Sequence, residues 1–112
     1  MKTWLITGTS RGFGREWAVA ALERGDRAVA TARSVDSLKD LQEQYGERIL
    51  ALALDVTDRR AADAAIQSIV AHHHRLDILI ANAGVIHRAP LADWTSEAWD
   101  EVLAANLKAC FF

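Results

Sequence analysis

Trp4-Leu5-Ile6-Thr7-Gly8-Thr9-Ser10-Arg11-Gly12-Phe13-Gly14 is the stretch that decides the fold. A short apolar run ends in a turn holding Gly8, Gly12 and Gly14, and a segment of helical period follows at once. Glycines let a backbone come close to a ligand, and the first N–H groups of a helix have no partner within the helix. A buried strand, such a turn and a helix N-terminus together form an anion site suited to phosphate.

Working outward, short apolar runs alternate with longer segments of helical period, which is the pattern of a parallel sheet with crossover helices. The first strand is expected over Thr3 to Thr7. The helix from Gly12 places Phe13, Trp17, Ala21 and Leu22 on neighbouring faces before Gly25 ends it. Ala28 to Ala32 reads as the second strand. Ser34 or Asp36 opens a second helix with Leu38, Leu41 and Tyr45 in register, stopped at Gly46. Ile49 to Leu54 is apolar throughout, as expected of a strand covered on both faces. Asp58 caps a third helix with Ala62, Ala65, Ile66, Ile69 and Val70 as its buried stripe, and Ile78 to Ala81 is the fourth strand. A loop with Pro90 leads to Thr95, the N-cap of a last helix carrying Trp99, Val102, Leu103, Asn106, Leu107 and Cys110. That helix meets neither glycine, proline nor polar tail before Phe111-Phe112.

Composition restricts the classes of function. The 112 residues are 51% hydrophobic and 25% charged, which suits one soluble domain with one core. A net charge of −2 with mixed signs argues against a nucleic-acid stripe or a membrane-binding face. No run approaches the ~18 apolar residues of a membrane span, and no signal region precedes the first strand. Cys110 is the only cysteine, so an internal disulfide is excluded and a reducing, cytoplasmic compartment is expected. By the same reasoning Cys110 is expected to be a small core residue. The adjacent His72, His73 and His74 point in three directions on a helix, so they read as a solvated or partly packed face rather than a metal site.

Several nucleotides suit a glycine turn. A phosphate-binding loop of nucleotide hydrolases needs Lys followed by Ser or Thr after its last glycine, and Arg15-Glu16 stands there. A methyl-donor-binding domain of the same general type stays open on the turn alone. Domains of that kind, like NAD-binding ones, commonly place an acidic residue after the second strand to hold ribose hydroxyls, whereas Ala32-Arg33 occupies that place. A guanidinium there suits a 2′-phosphate, and Arg11 inside the turn can converge on the same group. The expected cofactor is therefore NADP in preference to NAD.

The spacing Gly8-x-x-x-Gly12-x-Gly14 differs from the common Gly-x-Gly-x-x-Gly. Taken with Asp55-Val56, Asn82-Ala83-Gly84 and Asn106, it resembles the short-chain dehydrogenase/reductase family, whose motifs occur in that order. Ala81 stands where the family often has a second Asn. The resemblance implies an α/β fold, a partial Rossmann arrangement of four parallel strands in the order 3-2-1-4 with helices on both faces. It also implies hydride transfer between a nicotinamide dinucleotide and a carbonyl or alcohol. Gly8, Ser10, Arg11, Gly12, Phe13, Gly14 and Arg33 are the expected cofactor-binding residues at the phosphates. Asp55 is expected to accept from the adenine amino group, Val56 to border the ring, and Asn82, Ala83 and Gly84 to line the cofactor. Asn106 corresponds to the Asn of the family's catalytic tetrad, its side chain propping its helix against the fourth strand.

The family's Ser and its Tyr-x-x-x-Lys pair fall beyond these motifs. Tyr45 is the only tyrosine, and Ile49, not Lys, lies four residues on. Residues 1–112 are thus expected to form a single N-terminal dinucleotide-binding half-domain, truncated before the catalytic segment. The stretch from Val85 to Asp100 looks more like the 2-deoxygluconate dehydrogenase type. The fourth strand would be an edge, so a homo-oligomer or a complementing C-terminal chain is expected beside it.

Overall fold

The computed structural model describes residues 1–111. Four strands, β1 (Thr3–Ile6), β2 (Arg27–Ala32), β3 (Ile49–Ala53) and β4 (Ile78–Ile80), form one parallel sheet in the order β3-β2-β1-β4. The strand order is the one expected. Helix α1 (Gly12–Glu23) joins β1 to β2, and a 3₁₀ turn (Val35–Leu38) running into α2 (Lys39–Tyr45) joins β2 to β3. Helix α3 (Arg59–His73) crosses from β3 to β4, and α4 (Ser96–Leu103) continues through a π-helical turn over Ala104–Lys108.

Alternation along the strands distributes the core between two layers. Ala28, Ala30 and Ala32 pack with Leu22, Leu38, Leu41 and Ile49, so small strand residues let α1 and α2 lie close to the sheet. Leu5 and Val29 point the other way and meet Ile69 of α3. Asp58 and Thr95 cap α3 and α4 as their sequence positions suggest, accepting from the amides of Ala61 and Ala98 at 3.1 Å.

Several expectations about burial are corrected. β3 is only partly covered and Ala53 is exposed, because β3 is the outer strand of the sheet. On α1 the buried face is Gly14, Ala18, Ala21 and Leu22. Phe13 and Trp17 lie outside that face and stack on each other, with ring centroids 5.8 Å apart. On α3 the buried set is Ala65, Ile69 and His73, spaced i, i+4, i+8, whereas Ile66 and Val70 are exposed. Cys110 is exposed rather than in the core, on the rim of an open groove between α3 and the final helix. The chain is elongated, with a radius of gyration of 15.0 Å, where a compact chain of this length has about 13 Å.

One of the three histidines turns inward. His73 is 4% exposed and its Nε2 has no partner among the described residues, while His72 and His74 face solvent. Burial first, then the neighbouring His72, Arg27 and His74, depress its pKa below the usual imidazole value. A depressed folded-state pKa means that unfolding takes up a proton, so this contribution is present above about pH 6.5 and lost as pH falls below it. The urea midpoint is expected to drop between pH 7.5 and 5.5, and His73→Leu to flatten that slope. An unchanged slope in the variant would assign the effect elsewhere. The hydrogen-bonded carboxylates Asp26 and Asp77, whose pKa values are lowered, lose their contribution only in a separate window below their usual range.

Candidate functional site

The direction of chain crossing reverses between β1 and β4, because α1 leads from β1 to one neighbour and α3 returns the chain to the other side. Beyond the carboxyl ends of strands at such a switch point an open α/β sheet leaves a crevice. Here it is a cleft of about 500 Å³, lined by the glycine turn, the ends of β2 and β3, the segment after β4 and one face of the last helix.

Thr7 and Asn82 hold its floor together. The Thr7 hydroxyl accepts from the backbone amides of Asn82 and Ala83, both at 3.0 Å. The Asn82 side chain donates to the carbonyls of Thr7 at 3.1 Å and Gly8 at 3.2 Å. Thr9, fully buried, fixes the turn to β2 by donating through its amide and hydroxyl to the Thr31 carbonyl. Gly14 lies so close beneath this assembly that a Cβ would stand 2.3 Å from the Gly8 carbonyl oxygen. The turn is therefore held from β1, β2 and the segment after β4.

The helix end facing the cleft is electrostatically open. α3 and α4 have side-chain caps, but α1 has none at Arg11 and no acidic residue in its first turn. Its leading N–H groups and the positive end of its dipole are thus free for an anion. Arg11 and Arg33 both line the cleft, and neither guanidinium has an ion-pair partner among the described residues. Arg15, by contrast, is engaged with Asp40 and the Ser37 carbonyl and braces α1 against α2. The donor set and the cradle closed by Gly14 fit the phosphates of a dinucleotide.

After β3, Asp55 Oδ1 accepts from the amide of Thr57 at 2.9 Å and from its hydroxyl at 2.6 Å. These bonds, with the nearby Arg33 charge as a smaller cause, hold the Asp55 carboxyl below its ordinary pKa. Its Oδ2 has no hydrogen-bond partner among the described residues.

Of the residues singled out from sequence, Gly8, Ser10, Arg11, Gly12, Arg33, Asp55, Val56, Asn82, Ala83 and Gly84 line this one cleft. Phe13, Gly14 and Asn106 do not. Phe13 is 74% exposed on the outer side of α1, since the face one residue away carries the small groups that must touch the sheet. Gly14 is buried under the floor. Asn106, within the π-helical turn, accepts from the Val85 amide at 2.7 Å and donates to the Val85 carbonyl at 2.9 Å. It thus clasps the segment after Gly84 rather than β4 itself. Val85, Thr57, Glu101, Ala104 and Ala105 also line the cleft and were not singled out. The signal for the last three is their i, i+3, i+4 spacing on the final helix.

A four-stranded parallel sheet with a glycine turn and an open helix end at its switch point defines a nucleotide-binding Rossmann domain. The chain belongs to the short-chain dehydrogenase/reductase family: the family described as short chain dehydrogenase matches residues 2–112. An oxidoreductase of Botryotinia fuckeliana is 40% identical over 107 residues, which cover 95% of this chain and 39% of that protein. The crystal structure of a short-chain dehydrogenase from Streptomyces avermitilis superposes with a TM-score of 0.92 at 35% identity, covering 97% of this chain and 41% of that one. A metagenomic short-chain oxidoreductase in complex with NADP superposes with a TM-score of 0.88 at 33% identity, covering 98% and 52%. The chain spans about two fifths to one half of the length of these relatives. Among the described residues no helix is long and apolar enough to cross a membrane.

Proposed function

We propose that this chain is the NADP(H)-binding portion of a short-chain dehydrogenase/reductase. The observation that carries the reading is the uncapped α1 N-terminus opening into the same cleft as the unpaired Arg11 and Arg33. When bound, the nicotinamide dinucleotide supplies or accepts the hydride exchanged with a carbonyl or alcohol. The chain's own residues bind and orient it. The turn amides and Arg11 take the diphosphate, Arg33 with Arg11 takes the 2′-phosphate, and Asp55 and Val56 receive the adenine. Asn82, Ala83 and Gly84 line the middle of the cofactor, and Asn106 holds the loop after Gly84 through Val85.

Residues 1–112 act as an N-terminal half-domain that binds cofactor without completing the family's catalytic set, since no Tyr-x-x-x-Lys occurs among them. A solitary exposed cysteine suits a reducing compartment, and we place the protein in the cytoplasm. A second reading, a non-catalytic nucleotide-binding or oligomerisation module, is favoured by the edge of β4, where Leu79 is 60% exposed. A second copy or a complementing C-terminal chain would pair there.

Isothermal titration separates the readings. Micromolar binding of NADPH with weaker binding of NADH is the expected result. No binding by either dinucleotide, together with stable self-association in light scattering, would favour the oligomerisation module. Carbonyl reduction by the chain alone is expected to stay at background, and turnover above it would overturn the claim of an incomplete catalytic set.

A further inference from the structure

Three buried side-chain atoms have no hydrogen-bond partner among the described residues: Thr3 Oγ1, Thr31 Oγ1 and His73 Nε2. Their residues are 0%, 1% and 4% exposed, so a polar atom left alone there costs free energy on folding. Two of the three belong to one place. Thr3 shares a face of β1 with Leu5, and its register partner Arg27 shares a face of β2 with Val29, because side chains two apart on a strand point the same way. Ile69 of α3 packs on Leu5 and Val29. His73 lies one helical turn beyond Ile69 on the same buried side, and α3 runs opposite to the strands, so it comes down over Thr3 and Arg27. Two further observations agree with that placement. Four residues after His73, the Asp77 amide donates to the Thr3 carbonyl at 2.9 Å, and Asp77 Oδ2 accepts from the Thr3 amide at 2.8 Å. Arg27 is also among the charges that depress the His73 pKa. Thr31 stands apart, at the end of β2 where its carbonyl receives Thr9.

A hydroxyl donates and accepts, and a neutral imidazole nitrogen does one or the other, so Thr3 Oγ1 and His73 Nε2 are complementary. They make no bond to each other. A buried water typically makes about three hydrogen bonds to polar groups that are otherwise unsatisfied. We propose that Thr3 and His73 hold one ordered water between β1 and α3, at the foot of the sheet opposite the cleft. The hydroxyl and the imidazole nitrogen take two of its bonds, and Arg27, which forms no ion pair among the described residues, offers a third from the same face. The water also accounts for a histidine on the buried face of α3. An aliphatic side chain at position 73 would leave the Thr3 hydroxyl alone.

The test measures urea unfolding of Thr3→Val, His73→Leu and their double variant, with Thr31→Val as the control. About pH 8 suits it, because the depressed pKa keeps the imidazole neutral in the folded chain. Valine keeps the branching of threonine in a strand, so the variants at positions 3 and 31 are expected to fold, with circular dichroism as the check. Removing a hydroxyl that has no partner leaves the midpoint unchanged or raises it, whereas removing one that shares a water with His73 strands the imidazole as well. Thr3→Val is therefore expected to lower the midpoint by about 0.5 M or more, and Thr31→Val to hold or raise it. The double variant at positions 3 and 73 should lose less than the sum of the single losses, since both partners leave together. Oxygen-17 relaxation dispersion, which counts long-lived internal waters, should show one fewer in Thr3→Val than in the unchanged chain. An unchanged or raised midpoint in Thr3→Val overturns the proposal, and so does an equal water count. Should His73→Leu fail to fold, the contrast between Thr3→Val and Thr31→Val and the water count still decide it.

Discussion

Replacing Arg33 with alanine is expected to weaken NADPH binding about ten- to a hundredfold while changing NADH binding little. Arg33 follows β2, lines the cleft and forms no ion pair among the described residues, so its guanidinium is available to a ligand. A charge-assisted hydrogen bond contributes about 1.5–3 kcal/mol, which corresponds to that range of dissociation constants. Only the 2′-phosphate distinguishes the two dinucleotides, so the loss should fall on NADPH alone. Added salt should reduce the difference, because an exposed arginine is screened. Equal losses for NADPH and NADH would place Arg33 outside the 2′-phosphate site. Arg11→Ala is expected to act on both dinucleotides, since Arg11 sits inside the turn and also faces the diphosphate.

The largest effect on stability is expected from Gly14→Ala. An added Cβ would lie 2.3 Å from the Gly8 carbonyl oxygen and 2.5 Å from the Asn82 side-chain amide nitrogen. The first of these is backbone and cannot swing aside, and displacing the second breaks its bonds to the carbonyls of Thr7 and Gly8. Overpacking together with the lost hydrogen bonds should destabilise the fold by about 2–4 kcal/mol. Gly12 offers the comparison, because a Cβ there meets nothing within 4 Å and the cost is only that of its φ of +68°. Gly12→Ala should therefore destabilise by about 1 kcal/mol. Urea unfolding of the two variants measures the difference. Equal losses would mean that the close approach under the turn does not matter. Gly14→Ala should also abolish NADPH binding, because the turn cannot keep its shape.

Much of the fold was legible because parallel strands buried beneath helices carry short apolar runs, and Trp4-Leu5-Ile6 and Ala28-Val29-Ala30 are of that kind. The site was legible where its residues are contiguous at strand ends, as in the glycine turn and Asn82-Ala83-Gly84. Helix faces were read less well. Phe13 and Trp17 have the spacing of a buried pair, yet the sheet is approached by Gly14 and Ala18, whose small size permits contact. Ile66 and Val70 likewise lose to His73, which an apolar pattern does not select. Glu101, Ala104 and Ala105 share one face by spacing, but that this face turns to the cleft is not local: Asn106 of the same helix is anchored to Val85 across 21 residues.

By itself the sequence determined the family, the order of elements and the chemical nature of the turn, since these follow from local spacing and from strand and helix periodicity. Only the tertiary structure decided which residues share the cleft: that the uncapped end of α1 opens beside Arg11 and Arg33, that Asp55 has one oxygen committed to Thr57, and that Glu101, Ala104 and Ala105 of the final helix line it too. The physical reason is that those relations join strand ends and helices far apart in the chain, and packing, rather than local preference, sets the rotation of each helix about its axis.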